Sequence, residues 1–155
     1  MLSGIHPLLT GRLLAALDAM GHSDALVVCD AHFPAARLAR ELVELPGATA
    51  PEVTAAVLSV LPLDPERPGA LMDSGAEPAA VVDELRAACG PAGLALPSTE
   101  RDDFYRLAAA AALVVRTGET RPFGNVLLRK GLVEPSPFPR FAPAPYRVPT
   151  RSVAG

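Results

Sequence analysis

The sequence lacks the features that mark proteins working on nucleic acids or in membranes. Its 155 residues carry 14 Lys and Arg against 17 Asp and Glu, so no positive excess is available for nucleic acid or an anionic lipid surface. Its apolar runs fall well short of the roughly 20 residues that a bilayer-spanning helix needs. The N-terminus has no basic stretch followed by an apolar one, and we expect no secretory signal. These absences predict no nucleic-acid partner and no membrane partner.

Cysteine and the common catalytic motifs are scarce or missing as well. The two cysteines, Cys29 and Cys89, are far apart in the sequence, so neither a disulfide framework nor a zinc site is expected. No phosphate-binding GxGxxG or GxxxxGK[ST] loop and no GxSxG turn occurs, and no helix places two ligands at metal spacing. We therefore expect no metal site, and the cysteine usage fits a reducing, cytoplasmic setting.

What is present predicts one packed α/β domain. Half of the residues are apolar and a fifth are charged. The pattern predicts a helix over 10–20, with Thr10 as its N-cap and Gly21 just after its end, and a buried strand over 25–29. Further helices are expected at 51–61, 78–89 and 101–111, and further strands at 41–45, 70–73, 94–96, 113–116 and 125–128. This alternation predicts a three-layer α/β/α sandwich around a mostly parallel central sheet.

The end of the chain differs in composition from the rest. Six of the 17 prolines lie within 135–149, and such a stretch forms neither a regular helix nor a strand ladder. We expect a folded domain over 1–134 and an extended or disordered tail over 135–155.

Polar residues flank the first predicted strand on both sides. His22 and Asp24 precede it, and Asp30 and His32 follow it. Ligands of open α/β sheets bind beyond the carboxyl ends of strands, which favours Asp30 and His32. Because His22 lies at the opposite end, a site between subunits is one way to bring these residues together. Taken singly, each also has an ordinary explanation as a cap, turn or surface residue.

Five ordered segments resemble one known family. The string GHSDALVVCDAHFP at 21–34 resembles the first signature of the D-ribose pyranase/L-fucose mutarotase family. The later segments are Leu61-Pro-Leu-Asp64, Arg101-x-x-Phe104-Tyr105, Thr117-Gly118-Glu119 and Gly124-Asn125-Val-Leu-Leu-Arg-Lys-Gly131. The stretch DAHFP and the pair Gly124-Asn125 resemble the fucose mutarotase branch, whereas LVVCD is shared with the ribose branch. The resemblance covers about 1–134.

The resemblance implies an isomerase that interconverts the α and β anomers of a monosaccharide, with L-fucose favoured. It implies no metal or organic cofactor, and a homo-oligomer, typically a decamer of two stacked pentameric rings with sites between subunits. It makes His22 the proton donor and leaves Tyr105 as a second catalytic candidate. The positions that match sugar contacts are Asp30, Asp64, Met72, Arg101, Tyr105, Phe123, Gly124 and Asn125.

One departure from the family pattern keeps other functions open. The family usually has Tyr-Gly-Asn where this chain has Phe123-Gly124-Asn125, so one hydroxyl is missing. A ribose-pyranase-like or other aldose mutarotase is the first alternative. A non-catalytic monosaccharide-binding protein that keeps the fold is the second.

Overall fold

The computed structural model describes residues 3–76, 79–90 and 96–133. Within these ranges the helices are α1 (Gly11–Ala19), α2 (Ala35–Leu38), α3 (Ala50–Leu58), α4 (Ala80–Cys89) and α5 (Arg101–Ala110). The strands are β1 (Ala25–Cys29), β2 (Leu42–Leu45), β3 (Gly69–Met72), β4 (Ser98–Thr99), β5 (Leu113–Thr117) and β6 (Val126–Arg129). No helix in these ranges is long and apolar enough to cross a membrane.

The strands form one six-stranded sheet in the order β2-β5-β1-β6-β3-β4. Strand β6 runs antiparallel to both of its neighbours, β1 and β3, and the other three pairings are parallel. The expected mostly parallel sheet is therefore confirmed. β1 lies near the centre, and all five of its residues are buried.

Two apolar clusters cover the two faces of the sheet. Because side chains alternate along a strand, Leu26 and Val28 of β1 join one cluster with α1, α3 and α4. Val27 and Cys29 join the other, with α2 and α5. Helices thus lie on both faces, and the predicted three-layer α/β/α arrangement is confirmed.

Local sequence signals explain where the helices begin. The Thr10 hydroxyl accepts a hydrogen bond from the Leu13 amide, as expected for the N-cap of α1. Thr49 and Glu52 form a reciprocal capping box at the start of α3. Gly21 directly follows the C-cap Met20, as the sequence predicts. The chain leaves α1 through an extended Met20, and the left-handed residue is Ser23, with φ of 66°.

Two other elements differ from the sequence prediction. The expected strand at 94–96 lies mostly outside the described residues, Leu96 is not in a strand, and the edge strand is β4 instead. The short helix α2 was not predicted, because four residues are too few to show a helical repeat of apolar side chains. Proline restricts the residue before it and is compatible with the start of a helix, and Pro34 is the N-cap of α2. The expected tail at 135–155 lies outside the described residues.

Candidate functional site

The predicted site residues separate into two groups at opposite ends of β1. The first group surrounds a cavity beyond the carboxyl end of β1, which we call the carboxyl-end pocket. It is lined by Asp30, His32, Phe33, Met72, Arg101, Tyr105, Pro122, Phe123 and Asn125. The second group lines an open cleft before the start of β1, which we call the histidine cleft. It is lined by His22, Ser23, Pro62, Leu63, Asp64, Pro65, Glu66, Arg67 and Leu132.

The length of β1 keeps these two groups apart within one chain. Its five residues span about 16 Å at roughly 3.3 Å per residue. A sugar held beside Asp30 is therefore out of reach of His22 of the same chain. Six predicted residues come together in the carboxyl-end pocket: Asp30, Met72, Arg101, Tyr105, Phe123 and Asn125. His22 and Asp64 lie together in the histidine cleft. Gly124 lies between two lining residues, Phe123 and Asn125, and is not itself part of the lining.

Asp30 is fixed at the floor of the carboxyl-end pocket. Its backbone N–H donates to Asn125 Oδ1 at 3.0 Å, and Asn125 Nδ2 donates back to Asp30 Oδ2 at 2.8 Å. The other oxygen, Oδ1, accepts from the His32 amide at 2.9 Å. A carboxylate has about four acceptor positions, so these two bonds leave lone pairs of a buried, oriented acceptor for ligand hydroxyls.

Aromatic rings and one guanidinium form the walls of this pocket. The Tyr105 ring meets Phe33 edge-on, with centroids 5.5 Å apart. Arg101 lies one helical turn before Tyr105, and its guanidinium lies over the Phe123 ring, 5.6 Å from the centroid. Among the described residues, no carboxylate is within salt-bridge distance of Arg101. Apolar faces and available donors together suit a ligand with both C–H and O–H surfaces.

Ion pairs of Arg121 stabilise the loop that carries Phe123 and Asn125. Arg121 donates from Nε and Nη2 to the two carboxylate oxygens of Glu119, and from Nη1 and Nη2 to the two of Glu84 on α4. These bonds hold the pKa of Glu119 below its usual range. A Cβ on Gly124 would come within 2.9 Å of Glu119 Cγ, so the loop packs this closely only with glycine there. Phe123 takes a left-handed backbone conformation, with φ of 69°.

The histidine cleft pairs an exposed imidazole with a buried carboxylate. His22 Nε2 lies 3.7 Å from Asp64 Oδ2, and the side chains are 49% and 8% exposed. Asp64 Oδ1 accepts from the backbone amides of Glu66 and Arg67 at 2.9 and 3.2 Å. These backbone bonds, first that from Glu66, lower the pKa of Asp64. The cleft therefore presents a fixed carboxylate that can orient an imidazole exposed to solvent.

Several residues of the site were not singled out by the sequence. Phe33 lies within the first motif and Pro122 just before Phe123, but no local signal marked either as a lining residue. Arg121, which bonds to Glu119 in the same loop, was not marked either. His32 was favoured by its place after β1, and it does line the pocket, with Nε2 3.0 Å from the Thr120 carbonyl. Buried Cys29 lies just before Asp30, and burial raises its pKa, so it is an apolar filler rather than a nucleophile.

His, Cys, Asp and Glu side chains are the usual protein ligands of metal ions. Within residues 3–76, 79–90 and 96–133, no three His, Cys, Asp or Glu side chains form a group that could hold a metal ion. The expectation of a metal-free, cofactor-free site stays a prediction.

Comparison with known proteins places this geometry in a family. The model of the RbsD / FucU transport protein family matches residues 3–133. A protein of Homo sapiens named fucose mutarotase is 38% identical over 150 residues, covering 88% of this chain and 97% of that protein. The L-fucose mutarotase of Glaesserella parasuis serovar 5 (strain SH0165) is 36% identical over 140 residues, covering 85% and 96%.

A solved structure gives the same result in three dimensions. The crystal structure of the fucose mutarotase from Streptococcus pneumoniae in complex with L-fucose matches with a TM-score of 0.80 and 31% identity. The match covers 86% of this chain and 100% of that one. Together with the ordered motifs and the two groups of polar residues around β1, these similarities show that the chain belongs to the RbsD / FucU transport protein family.

Proposed function

We propose that this protein is a mutarotase that interconverts the α and β anomers of L-fucose. The observation that carries the proposal is the carboxyl-end pocket. There, a fixed carboxylate, an available guanidinium and a tyrosine converge against aromatic walls. The chain around this pocket is 38% identical to a fucose mutarotase over most of its length. A hexose lacking one hydroxyl has an apolar methyl group as well as hydroxyls, and this mixed lining suits both.

The reaction requires two proton transfers and no net redox change. A base removes the proton of the anomeric hydroxyl, an acid protonates the ring oxygen, and the bond between C1 and that oxygen breaks. Rotation about the C1–C2 bond of the open aldehyde and the reverse transfers give the other anomer. Positioned acid and base groups accelerate such a step by about 10²–10⁴.

We assign His22 as the proton donor in this reaction, oriented by Asp64. Asp30 accepts hydrogen bonds from sugar hydroxyls, and Arg101 donates to sugar oxygens. Tyr105 is the second candidate for proton transfer, because its hydroxyl lies in the same pocket as Asp30. The remaining proposed contacts are Met72, Phe123, Gly124 and Asn125.

The site is completed between subunits in this proposal. The whole length of β1, about 16 Å, separates the His22 end of the strand from the pocket of the same chain, so a neighbouring copy has to present its histidine cleft to that pocket. Leu132 and Val133, beside the cleft, are 72% and 76% exposed, which supports cover by a partner. We propose a homo-oligomer, a decamer of two stacked pentameric rings, that acts in the cytoplasm without a metal or organic cofactor.

Saturation-transfer NMR of anomeric protons tests the proposal at chemical equilibrium. Purified protein is measured with L-fucose, D-ribose and D-galactose, each with and without EDTA. We expect the fastest exchange with L-fucose and no loss in EDTA. Faster exchange with ribose would favour the ribose-type reaction, and binding without exchange of any aldose would favour the non-catalytic sugar-binding protein.

A histidine substitution tests the assignment of the proton donor. We expect His22→Ala to slow fucose exchange by about 10²-fold or more while light scattering shows an unchanged assembly. His6→Ala is the matched control, because His6 is exposed and lines neither the pocket nor the cleft. Near-full exchange in His22→Ala would move the role to another group, with His32 and Tyr105 tested next.

A further inference from the structure

Lys130 is the only lysine of the chain, since the other thirteen basic residues are arginines. It directly follows β6, and its ammonium group donates to three backbone carbonyls at the end of α1. The Nζ–O distances are 2.8 Å to Leu17, 3.3 Å to Asp18 and 2.6 Å to Met20. An ammonium has three donors in a tetrahedral arrangement, whereas a guanidinium is planar. The three carbonyl groups that converge on Nζ therefore explain why position 130 is a lysine, although every other Lys or Arg position of the chain is an arginine.

The main chain of Lys130 holds the turn that carries His22. The Ser23 amide donates to the Lys130 carbonyl at 2.8 Å, and the Lys130 amide donates to the Asp24 carbonyl at 2.9 Å. Ser23 keeps a left-handed backbone with φ of 66°, a conformation that a non-glycine residue adopts only where its surroundings impose it. His22 thus lies between Met20, bonded to the Lys130 side chain, and Ser23, bonded to its backbone.

The same segment holds the turn that carries Asp64. Leu63 forms an antiparallel bridge with Lys130, and the Asp64 amide donates to the Arg129 carbonyl at 3.0 Å. A Cβ on Gly131 would come within 2.3 Å of the Leu63 carbonyl oxygen, so the two segments are in close contact. Residues 129–131 are therefore the common support of both members of the His22–Asp64 pair.

We propose that Lys130 is the positioning residue of the His22–Asp64 pair. Its ammonium group fixes the end of α1 and, through the turn that follows, the place at which the imidazole is presented. Its three donors are already used by carbonyls, so it acts through His22 and not on the sugar. The inference rests on the proposed proton-donor role of His22, and it adds a lysine whose contribution to turnover is indirect.

A double-mutant cycle with an NMR readout tests this role. The full-length protein is compared as wild type, Lys130→Met, His22→Ala and the double variant, with Arg86→Met as control. Arg86 is half-exposed and paired with Asp83, away from the pocket and the cleft. We expect Lys130→Met to lower kcat for fucose exchange by about tenfold to a hundredfold, as misplacement of a catalytic group does, with KM within about twofold. In the His22→Ala background the same change should cost no further rate.

The imidazole resonances report positioning independently of turnover. The chain has three histidines, so His22 is assigned by its disappearance in His22→Ala. We expect Lys130→Met to shift or broaden the His22 resonance while those of His6 and His32 stay in place. If Lys130→Met does not assemble, Lys130→Arg is put through the same cycle. The planar guanidinium of the introduced arginine cannot bond to all three carbonyls, so we expect Lys130→Arg to lose part of kcat.

The outcomes separate this inference from the proposed function. If the wild-type protein exchanges no aldose but Lys130→Met still changes the His22 resonance, the proposed mutarotase function is overturned and the positioning role of Lys130 is kept. If the wild-type protein exchanges fucose and Lys130→Met changes neither the exchange rate nor the His22 resonance, only the positioning role of Lys130 is overturned. Equal losses of rate in both backgrounds would show that Lys130 only stabilises the fold.

Discussion

Single side chains of the carboxyl-end pocket are held in place before any ligand binds. Asp30 is bonded on both sides by the Asn125 amide, and Arg101 is supported by the Phe123 ring rather than by a carboxylate. Ligand binding in this pocket therefore requires little rearrangement of these side chains. Preorganised donors and acceptors of this kind contribute to rate by placing the reacting groups in advance.

Phe123 is the residue at which the pocket departs from the family pattern. Phe123→Tyr restores the Tyr-Gly-Asn sequence and adds one hydroxyl at the pocket rim, and the ring can still support Arg101. A hydroxyl that meets a sugar oxygen contributes about 0.5–1.5 kcal/mol net, and we expect a gain of roughly threefold in fucose exchange. Saturation-transfer rates of both proteins with fucose, ribose and galactose provide the measurement. Slower fucose exchange without a gain on another sugar would mean that the pocket is built around phenylalanine.

Two elements connect the chemistry of the pocket to the rest of the fold. The loop over 119–125 follows β5, and its Arg121 ties it to α4 through Glu84. Its Glu119 carbonyl accepts from the Ala31 amide, next to Asp30. Strand β6 then begins just after Asn125 in the pocket and ends just before Lys130, which is bonded to the turn that carries His22. One antiparallel strand thus supports both groups of site residues, at its two ends.

Buried Glu119 makes the loop over 119–125 sensitive to acid. Its folded-state pKa lies below the unfolded value of about 4.3, so the stabilisation is present at neutral pH and is lost as the pH falls through the folded value. We expect Glu119→Gln to lower the free energy of unfolding by about 1–2 kcal/mol at pH 7, allowing for the half-exposed Arg121.

Urea unfolding of both proteins at pH 7 and pH 3.5, at one protein concentration, measures the difference in stability. The difference should shrink at the lower pH. Asp83→Asn, which breaks an exposed pair with Arg86, is the control and should leave the midpoint almost unchanged. A difference that stays constant between the two pH values would show that the Glu119 charge does not stabilise the loop.

At the scale of the whole molecule, the proposed site needs two chains. The histidine cleft and the carboxyl-end pocket face opposite ends of the same strand, and each holds only part of the required chemistry. In a closed ring, every chain can present its histidine cleft to the carboxyl-end pocket of the next chain. Each chain then takes part in two complete sites, and none is left incomplete.

Mixing two inactive variants tests this arrangement. His22→Ala and Asp30→Asn, unfolded and reassembled together in equal amounts, form some sites with an intact histidine from one chain and an intact aspartate from the other. Random assembly gives about one quarter of intact sites, so about one quarter of wild-type exchange is expected. Each variant reassembled alone is the control. Activity of the mixture no greater than the sum of the two controls would place the whole site within one chain.

The sequence by itself determined the class of the fold and indicated most of the candidate site residues. Alternating apolar runs and helical patterns fixed the strand Ala25–Cys29 and the layered α/β arrangement, because burial and side-chain periodicity are local properties. Polar residues at both ends of that strand, together with five ordered motifs, indicated the candidate residues and the family. The short edge strand β4 was not predicted, because a strand of two residues shows almost no local sequence pattern.

Tertiary structure decided which of those residues meet. Pairing of Asp30 with Asn125 joins positions 95 residues apart through the neighbouring strands β1 and β6, and no local spacing encodes that contact. The antiparallel direction of β6 places Asn125 beside Asp30 and brings Lys130 to the turn that carries His22, at the other end of β1. The brace between Arg121 and Glu84 likewise exists only because α4 packs beside the loop over 119–125. Long-range strand order, rather than residue type, therefore decided which distant residues join Asp30 and which join His22.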